Sequence, residues 1–428
     1  MGYGLSADGY HPTAPHPEGR GASRAIKRAL AQGGVSPDEV GYVNSHGTGT
    51  AKNDPAETAA TKVGLGDKAA YNTAVSSTKS MIGHLLGGAG AAEAIVTVKA
   101  LEDQVLPPTA NYTEQDPECD LDYVPNEPRE AKLDVALSNN FAFGGANASV
   151  LFMREGARDT PPPPPDRDRV VITGLSALTT AGSDLDTRWE AYKSGRETTS
   201  VEEGKAIGRV DFSAGDYLKP KERKRVDRLG LLSIISSQLA LKDAGLEVDD
   251  DNATRVGAIL GTGVGPMESM VDFAIPVIQE GADSANPAMF PNTVYNAAAG
   301  QVAMKVGITG STSTVTAGHA AGASSLVYGV DLAATDHADA VVCIGADALT
   351  DTVIGAYSEL GVLSDGSSSG GGFALSEAGI AVLAERLGKA RERGARIYGE
   401  VLGYGITSDA AGVGRIDPEG EGIERAMR

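Results

Sequence analysis

The chain repeats its own opening near its end. Gly2-Tyr3-Gly4-Leu5-Ser6-Ala7-Asp8 returns as Gly403-Tyr404-Gly405-Ile406-Thr407-Ser408-Asp409, and Pro17-Glu18-Gly19 returns as Pro418-Glu419-Gly420. The offset of 401 holds from the pair Gly2/Gly403 to the pair Ala25/Ala426. A period this long is the length of a whole domain, not of a solenoid unit. The chain therefore reads as a window across two successive copies of one domain type. A run of five prolines, residues 161–165, marks the join, flanked by Asp166, Arg167, Asp168 and Arg169. Such a run adopts polyproline II geometry at about 3.1 Å per residue and acts as a semi-rigid spacer. The division expected is residues 1–155, a proline-rich linker at 156–167, and residues 168–428.

On either side of the linker, strand-like and helix-like segments alternate. Strands are expected at 38–45, 71–76, 135–137 and 148–152, with helices at 55–63 and 83–102. After the linker, strands are expected at 169–175, 255–260, 312–316 and 338–344, with helices at 185–192, 228–244 and 319–333. This alternation predicts an α/β class with layered sheets and helices.

The excluded functions follow from charge and hydropathy. A net charge of −20 argues against a nucleic-acid partner. No apolar run approaches the roughly 18 residues that a membrane span needs. Two cysteines, Cys119 and Cys343, cannot build a disulfide framework, so a cytoplasmic setting is expected. Met1-Gly2 fits a lipid-acceptor template at only two fixed positions, and the repeat gives Gly2 a structural counterpart in Gly403.

Two histidines carry the chemistry. His46 stands in Asn44-Ser45-His46-Gly47-Thr48-Gly49-Thr50, and His84 closes Ser76-Ser77-Thr78-Lys79-Ser80-Met81-Ile82-Gly83-His84. Each follows an apolar run and enters a Gly/Ser/Thr-rich turn, the strand-end position where α/β proteins gather functional groups. Two imidazoles and the Lys79 ammonium suit a reaction that builds negative charge on a carbonyl oxygen. A lone histidine is more often a satisfied core residue; here the spacing and the flanking glycines favour the site.

These motifs, with Asp116-Pro117-Glu118-Cys119-Asp120-Leu121-Asp122-Tyr123 and Ser138-Asn139-Asn140-Phe141-Ala142-Phe143-Gly144-Gly145, resemble the second half of a β-ketoacyl-[acyl carrier protein] synthase of the elongating type. Residues 168–428 resemble the first half of the same family, from Val170-Val171-Ile172-Thr173-Gly174 to Pro287-Ala288-Met289-Phe290-Pro291-Asn292-Thr293. The resemblance implies a thiolase-like layered αβαβα fold with its halves in permuted order. The implied chemistry is decarboxylative Claisen condensation of a malonyl group with an enzyme-held acyl chain, in fatty acid or polyketide assembly. His46 and His84 would hold the thioester oxygen as carbon dioxide leaves, at about 3 kcal/mol for each such donor, and Lys79 would orient and polarise the site. Thr48 and Thr50 would meet the pantetheine arm or malonyl group. Phe143, in the turn with Phe141 and Gly144, would gate the substrate. No metal or resident cofactor is implied; substrates would arrive on the phosphopantetheine of an acyl carrier protein, and a ketosynthase-type homo- or heterodimer is expected.

One position departs from the pattern. The family carries its nucleophile as Thr-Ala-Cys-x-x-Gly, whereas this chain has Thr316-Ala317-Gly318-His319-Ala320-Ala321-Gly322. An imidazole there cannot hold a stable acyl group as a thiol can, so His319 either supports malonyl decarboxylation or plugs the site. Residues 168–428 therefore resemble the chain-length factor, the nucleophile-free partner of a ketosynthase. Three readings stay open: halves of a ketosynthase and a chain-length factor joined by the linker, one permuted domain with a composite site, or a silent scaffold. The basic run Lys221, Arg223, Lys224 and Arg225 is either a solvated face or the dock for an acidic carrier protein. Gly261-Thr262-Gly263-Val264-Gly265 is close to a dinucleotide loop, but Pro266 breaks the spacing.

Overall fold

Two runs of alternating strand and helix build two sheets of one topology. The structure is a computed structural model that describes residues 2–158, 167–367, 371–412 and 416–428. The five prolines and residues 368–370 lie outside the described residues.

The first sheet contains β1 (Gly2–Ala7), β2 (Val40–Asn44), β3 (Ala74–Ser76), β4 (Val135–Phe141) and β5 (Ala146–Met153), in the order β1-β5-β4-β2-β3. Strand β2 runs parallel to β3 and β4, while β5 is antiparallel to both β4 and β1. Helices α1 (Arg20–Gly33), α2 (Asn53–Leu65) and α3 (Ala89–Asp103) belong to this half. Ile26, Leu30, Val43, Val75, Leu137 and Leu151 form its core.

The second half repeats the plan. Strands β6 (Val170–Leu178), β7 (Val256–Gly261), β8 (Thr312–Val315), β9 (Ala340–Asp347) and β10 (Ala378–Arg386) lie in the order β8-β7-β9-β10-β6, and β11 (Gly399–Glu400) adds to the outside of β6. Here too the central strand β7 is parallel to both neighbours, and β10 is antiparallel to both of its own. Helices α4 (Arg228–Ala244), α5 (Ala297–Val306) and α6 (Ala321–Ala334) accompany them. Leu232, Ile235, Leu260, Val342, Ile344 and Leu383 make the core.

Two expected elements are corrected. The strand expected over 71–76 begins only at Ala74, because Asp67–Asn72 is helical. The Thr73 hydroxyl ends that helix by donating to Ala69 O and Val40 O at 2.8 and 2.9 Å. The helix expected from 83 begins at Ala89. Gly83 and Leu86 have φ of 78° and 51°, which an α-helix does not accommodate, so residues 83–85 and the 3-10 turn Leu86–Gly88 hold His84 outside the α-helix.

The halves meet through the first strand–helix unit and the Phe143 turn. Ala7, at the end of β1, is buried in the second half's core, and its N–H donates to Thr309 O at 3.2 Å. Arg24 bridges Ala7 O and Thr309 O, and Arg28 bridges Leu5 O and Thr254 O. The Tyr3 ring stacks on His337 at 4.4 Å. Beside α5, a Cβ at Gly300 would stand 2.6 Å from the Gly144 Cα, so only glycine permits this backbone approach.

Candidate active site

Three parallel strand ends supply the site, and side-chain hydrogen bonds tie the loops that leave them. Ser45 N–H donates to Ser76 O at 2.9 Å, Asn44 Nδ2 to Thr78 Oγ1 at 2.8 Å, and Ser77 Oγ to Gly47 O at 2.6 Å. Below them Tyr42, fully buried, shares a 2.9 Å hydrogen bond with Ser76. The loop after β2 therefore cannot move independently of the loop after β3.

Glu57 on α2, which sequence reasoning missed, fixes the His46 turn. Its carboxylate accepts the N–H groups of His46 and Gly47, each at 2.8 Å. Burial raises its pKa to about 7 against the lowering effect of those two N–H donors. Gly47 has φ of 41°, and a Cβ there would meet Ser45 Oγ and Ser77 Cβ at 2.6 Å.

His46, buried at 7% exposure, and His84, exposed on its loop, stand edge to face with ring centroids 5.5 Å apart. The Phe141 ring, at the end of β4, lies 5.5 Å from His46 on another side. Lys79 Nζ faces His46 Nδ1 at 3.4 Å, and Leu86 N–H donates to His84 Nδ1 at 3.1 Å. An ammonium and an amide N–H can only donate, so both Nδ1 atoms accept and each neutral ring carries its proton on Nε2. Burial first, then the charge of Lys79, lowers His46 to about 3 and holds His84 below the ordinary imidazole value. Both rings are neutral hydrogen-bond donors near pH 7.

Glu93, one turn into α3, completes the cluster. Its carboxylate meets Lys79 Nζ at 2.5 Å, with the two side chains 1% and 5% exposed. Burial pushes the Glu93 carboxyl up, and Lys79 offsets part of that rise. The sequence offered one signal for Glu93: it is the single acid in the Ala- and Val-rich stretch before Lys99. A cavity of about 730 Å³ opens beside the cluster, lined in part by Thr48, Thr50, Lys79, Ser80, His84 and Tyr112. The Thr48 and Thr50 hydroxyls lie 3.0 Å apart on its wall.

The other expected site residues make their recorded contacts outside this cluster. Phe143 is 42% exposed, and its carbonyl accepts from Asn296 Nδ2 at 2.6 Å, while Gly144 turns the chain at φ of 80°. His319 precedes α6 in a separate aromatic group: its Nε2 is 2.9 Å from Tyr357 OH, and its ring meets Tyr357 and Phe373 at 6.1 and 6.3 Å. Among the described residues no hydrogen bond, ion pair or ring contact joins His319 to His46, His84, Lys79 or Phe143. Both cysteines are buried, with thiols raised by desolvation; Cys343, inside β9, is pushed up to about 12. The glycine-rich loop after β7 is filled from within, since Asp347 Oδ1 accepts from Thr262 Oγ1, Gly263 N–H and Val264 N–H at 2.7 to 3.0 Å. Lys221, Arg223, Lys224 and Arg225 are exposed, and among the described residues no ion pair engages them. No group of three or more potential ligands able to hold a metal occurs among the described residues, and no described helix is long and apolar enough to cross a membrane.

Comparison with known proteins identifies the family. The family model for the beta-ketoacyl synthase C-terminal domain matches residues 1–113, and that for the beta-ketoacyl synthase N-terminal domain matches residues 167–390. Over 154 residues the chain is 55% identical to 3-oxoacyl-[acyl-carrier-protein] synthase 2 of Synechocystis sp., a match covering 36% of this chain and 37% of that one. Over 151 residues it is 51% identical to Nodulation protein E of Rhizobium meliloti, covering 35% and 37%. The chain thus spans about 37% of the length of these curated relatives. Among solved structures, the PfaC keto synthase–chain length factor superposes with a TM-score of 0.76 at 17% identity, over 94% of this chain and 49% of that one, a likeness of fold. The ishigamide ketosynthase/chain length factor superposes with a TM-score of 0.55 at 26% identity, over 61% and 68%.

Proposed function

Because the chain belongs to the β-ketoacyl synthase family, we propose that residues 1–155 act on a malonyl thioester delivered by an acyl carrier protein and carry out the decarboxylation part of a condensing reaction. The observation that supports this most directly is the pair of neutral imidazoles packed edge to face near Lys79, each with its proton on Nε2, with His84 lining the 730 Å³ cavity. In the proposed step the bond between the α-carbon and the carboxylate breaks and carbon dioxide leaves. The electron pair moves into an enolate whose oxygen accepts from the two Nε2–H groups. Preorganised donors of this kind stabilise the developing charge without reorganising. Water then protonates the α-carbon and leaves an acetyl thioester.

Condensation would need an acyl group held on a thiol, and neither cysteine is placed for it. The test incubates the chain with malonyl-loaded carrier protein and follows carbon dioxide, acetyl product and the mass of the intact chain. The expected result is decarboxylation with no acyl adduct. An acyl group on Cys119 or Cys343, or a condensed product, would overturn the reading.

A second reading, a silent chain-length-factor-like scaffold, draws support from His319. Its hydrogen bond to Tyr357 and its aromatic neighbours suit a plugged turn better than a working one. No decarboxylation, together with co-purification alongside an intact ketosynthase, would favour that scaffold.

The basic run supports carrier-protein docking in either case. Reversing Lys221, Arg223, Lys224 and Arg225 to Glu is expected to slow association with an acidic carrier protein at least tenfold at low salt. The difference should vanish as salt rises. Equal association rates at low salt would remove these residues from the docking surface.

A further inference from the structure

The joint between the two halves is mostly polar and carries positive charge without a matching acid. Among the described residues, only Leu5 and Ala7 of the first half enter the second half's apolar clusters. Strand β1 is the edge of the first sheet, and polar side chains meet that edge. Arg24 and Arg28 of α1 reach the carbonyls of Ala7 and Leu5 on it, and those of Thr309 and Thr254 across the joint. Among the described residues no carboxylate forms an ion pair with either guanidinium. Burial lowers Arg28 to about 10, and the neighbouring charges of Arg255 and Arg24 add to that lowering.

His337 stands in the same joint, buried at 6% exposure, in the turn between α6 and β9. The Tyr3 ring of β1 covers its face, with the two planes 9° apart. The Thr335 hydroxyl donates to Asp331 O at 2.6 Å, so it accepts from His337 Nδ1–H at 3.1 Å. The one proton of the neutral ring is thereby placed. The charged groups facing this turn are Arg28 from α1, Asp331 from α6, and Asp336 and Asp339 beside the histidine. Their carboxylates are already engaged: Asp336 and Asp339 by Arg255 and Arg386, and Asp331 by Arg167 and the Tyr404 hydroxyl. Burial is the largest influence on the ring and favours its neutral form. The Thr335 and Tyr3 carbonyls oppose it, Arg28 reinforces it and Asp336 opposes it, and the net effect holds His337 below the ordinary imidazole value.

We propose that His337 is an acid-operated clasp: a second proton on its ring opens the joint between the halves, while each half keeps its own core. That proton puts a full charge between the Tyr3 ring and Arg28, where the nearby carboxylates already serve other cations. The sign follows from the closed joint favouring the neutral ring. The stability that His337 lends is present above the ordinary imidazole value, near 6.5, and is lost as pH falls below it. The proposal rests on the joint alone and not on the catalytic reading.

The test reads the joint in the full chain by hydrogen exchange at Ala7, whose N–H donates to Thr309 O across it. Val43, inside β2, serves as the reference, and both rates are corrected for the intrinsic effect of pH. Between about pH 7.5 and about pH 5, the Ala7 rate is expected to rise at least tenfold relative to Val43 in the wild type. In His337→Phe, which keeps a ring against Tyr3 and takes no proton, the rise should be less than twofold. Equal rises in the two proteins, or no rise in the wild type, would overturn the proposal. A titration of the His337 Cε1–H resonance in the wild type decides the matter should the variant fail to fold. Its midpoint is expected below about 6.5 and at the same pH as the opening at Ala7. A midpoint above that value, or one separated from the opening, overturns the proposal as well.

Discussion

Lys79→Met is expected to destabilise the fold by about 3–5 kcal/mol, the cost typical of removing one partner of a buried ion pair. Met matches the length of the Lys side chain, so the loss comes from the Glu93 carboxylate, which would remain 1% exposed without its cation. The effect depends on pH with a definite sign. Burial already raises Glu93 above the ordinary carboxylate value, and loss of Lys79 raises it further. A carboxyl raised in the folded state contributes stability that is present below its unfolded pKa and is lost as pH rises through the folded value. Urea midpoints should therefore separate variant from wild type most at neutral pH and converge as Glu93 protonates. Lys79→Met/Glu93→Gln should recover part of the loss. A variant as stable as wild type at neutral pH would mean that Glu93 finds another partner.

Removal of either imidazole is expected to lower malonyl decarboxylation by about 10²–10³-fold, the loss seen when one preorganised oxyanion donor is deleted. His46→Ala and His84→Ala should both show it, measured as carbon dioxide released from malonyl-loaded carrier protein. With His46 lowered to about 3 by burial and by Lys79, the wild-type rate should not fall through protonation of that ring between pH 5 and 8. The same shift makes a stability statement. A histidine whose folded pKa is depressed contributes stability that is present above its unfolded pKa, near 6.5, and is lost as pH falls towards 3. His46→Gln should accordingly resist acid better than wild type. Full decarboxylation in both alanine variants would place the oxyanion elsewhere.

The strand ends that carry the site were legible because β2 and β3 pair apolar residues with turn-forming ends, and the loops that leave them hold His46, Lys79 and His84. The partners that make these residues work were not. Glu57 and Glu93 each lie on an alanine-rich helix that carries other acids as well, and periodicity alone cannot show which acid such a helix presents inward. The loop at 83–88 was hidden for a related reason. Its Leu and Gly content is compatible with a helix start, and only the left-handed φ of Gly83 and Leu86 moves the start to Ala89. His319 shows the opposite limit: its place in the nucleophile turn was plain, but its partners Tyr357 and Phe373 come from distant segments that no local pattern connects to it.

Where Gly144 rests on Gly300, main chain touches main chain with no side chain between them. Such a joint has nothing soft to absorb a displacement. A side chain at either glycine would have to push the two halves apart at a turn that stands, through Phe141, next to the His46 ring.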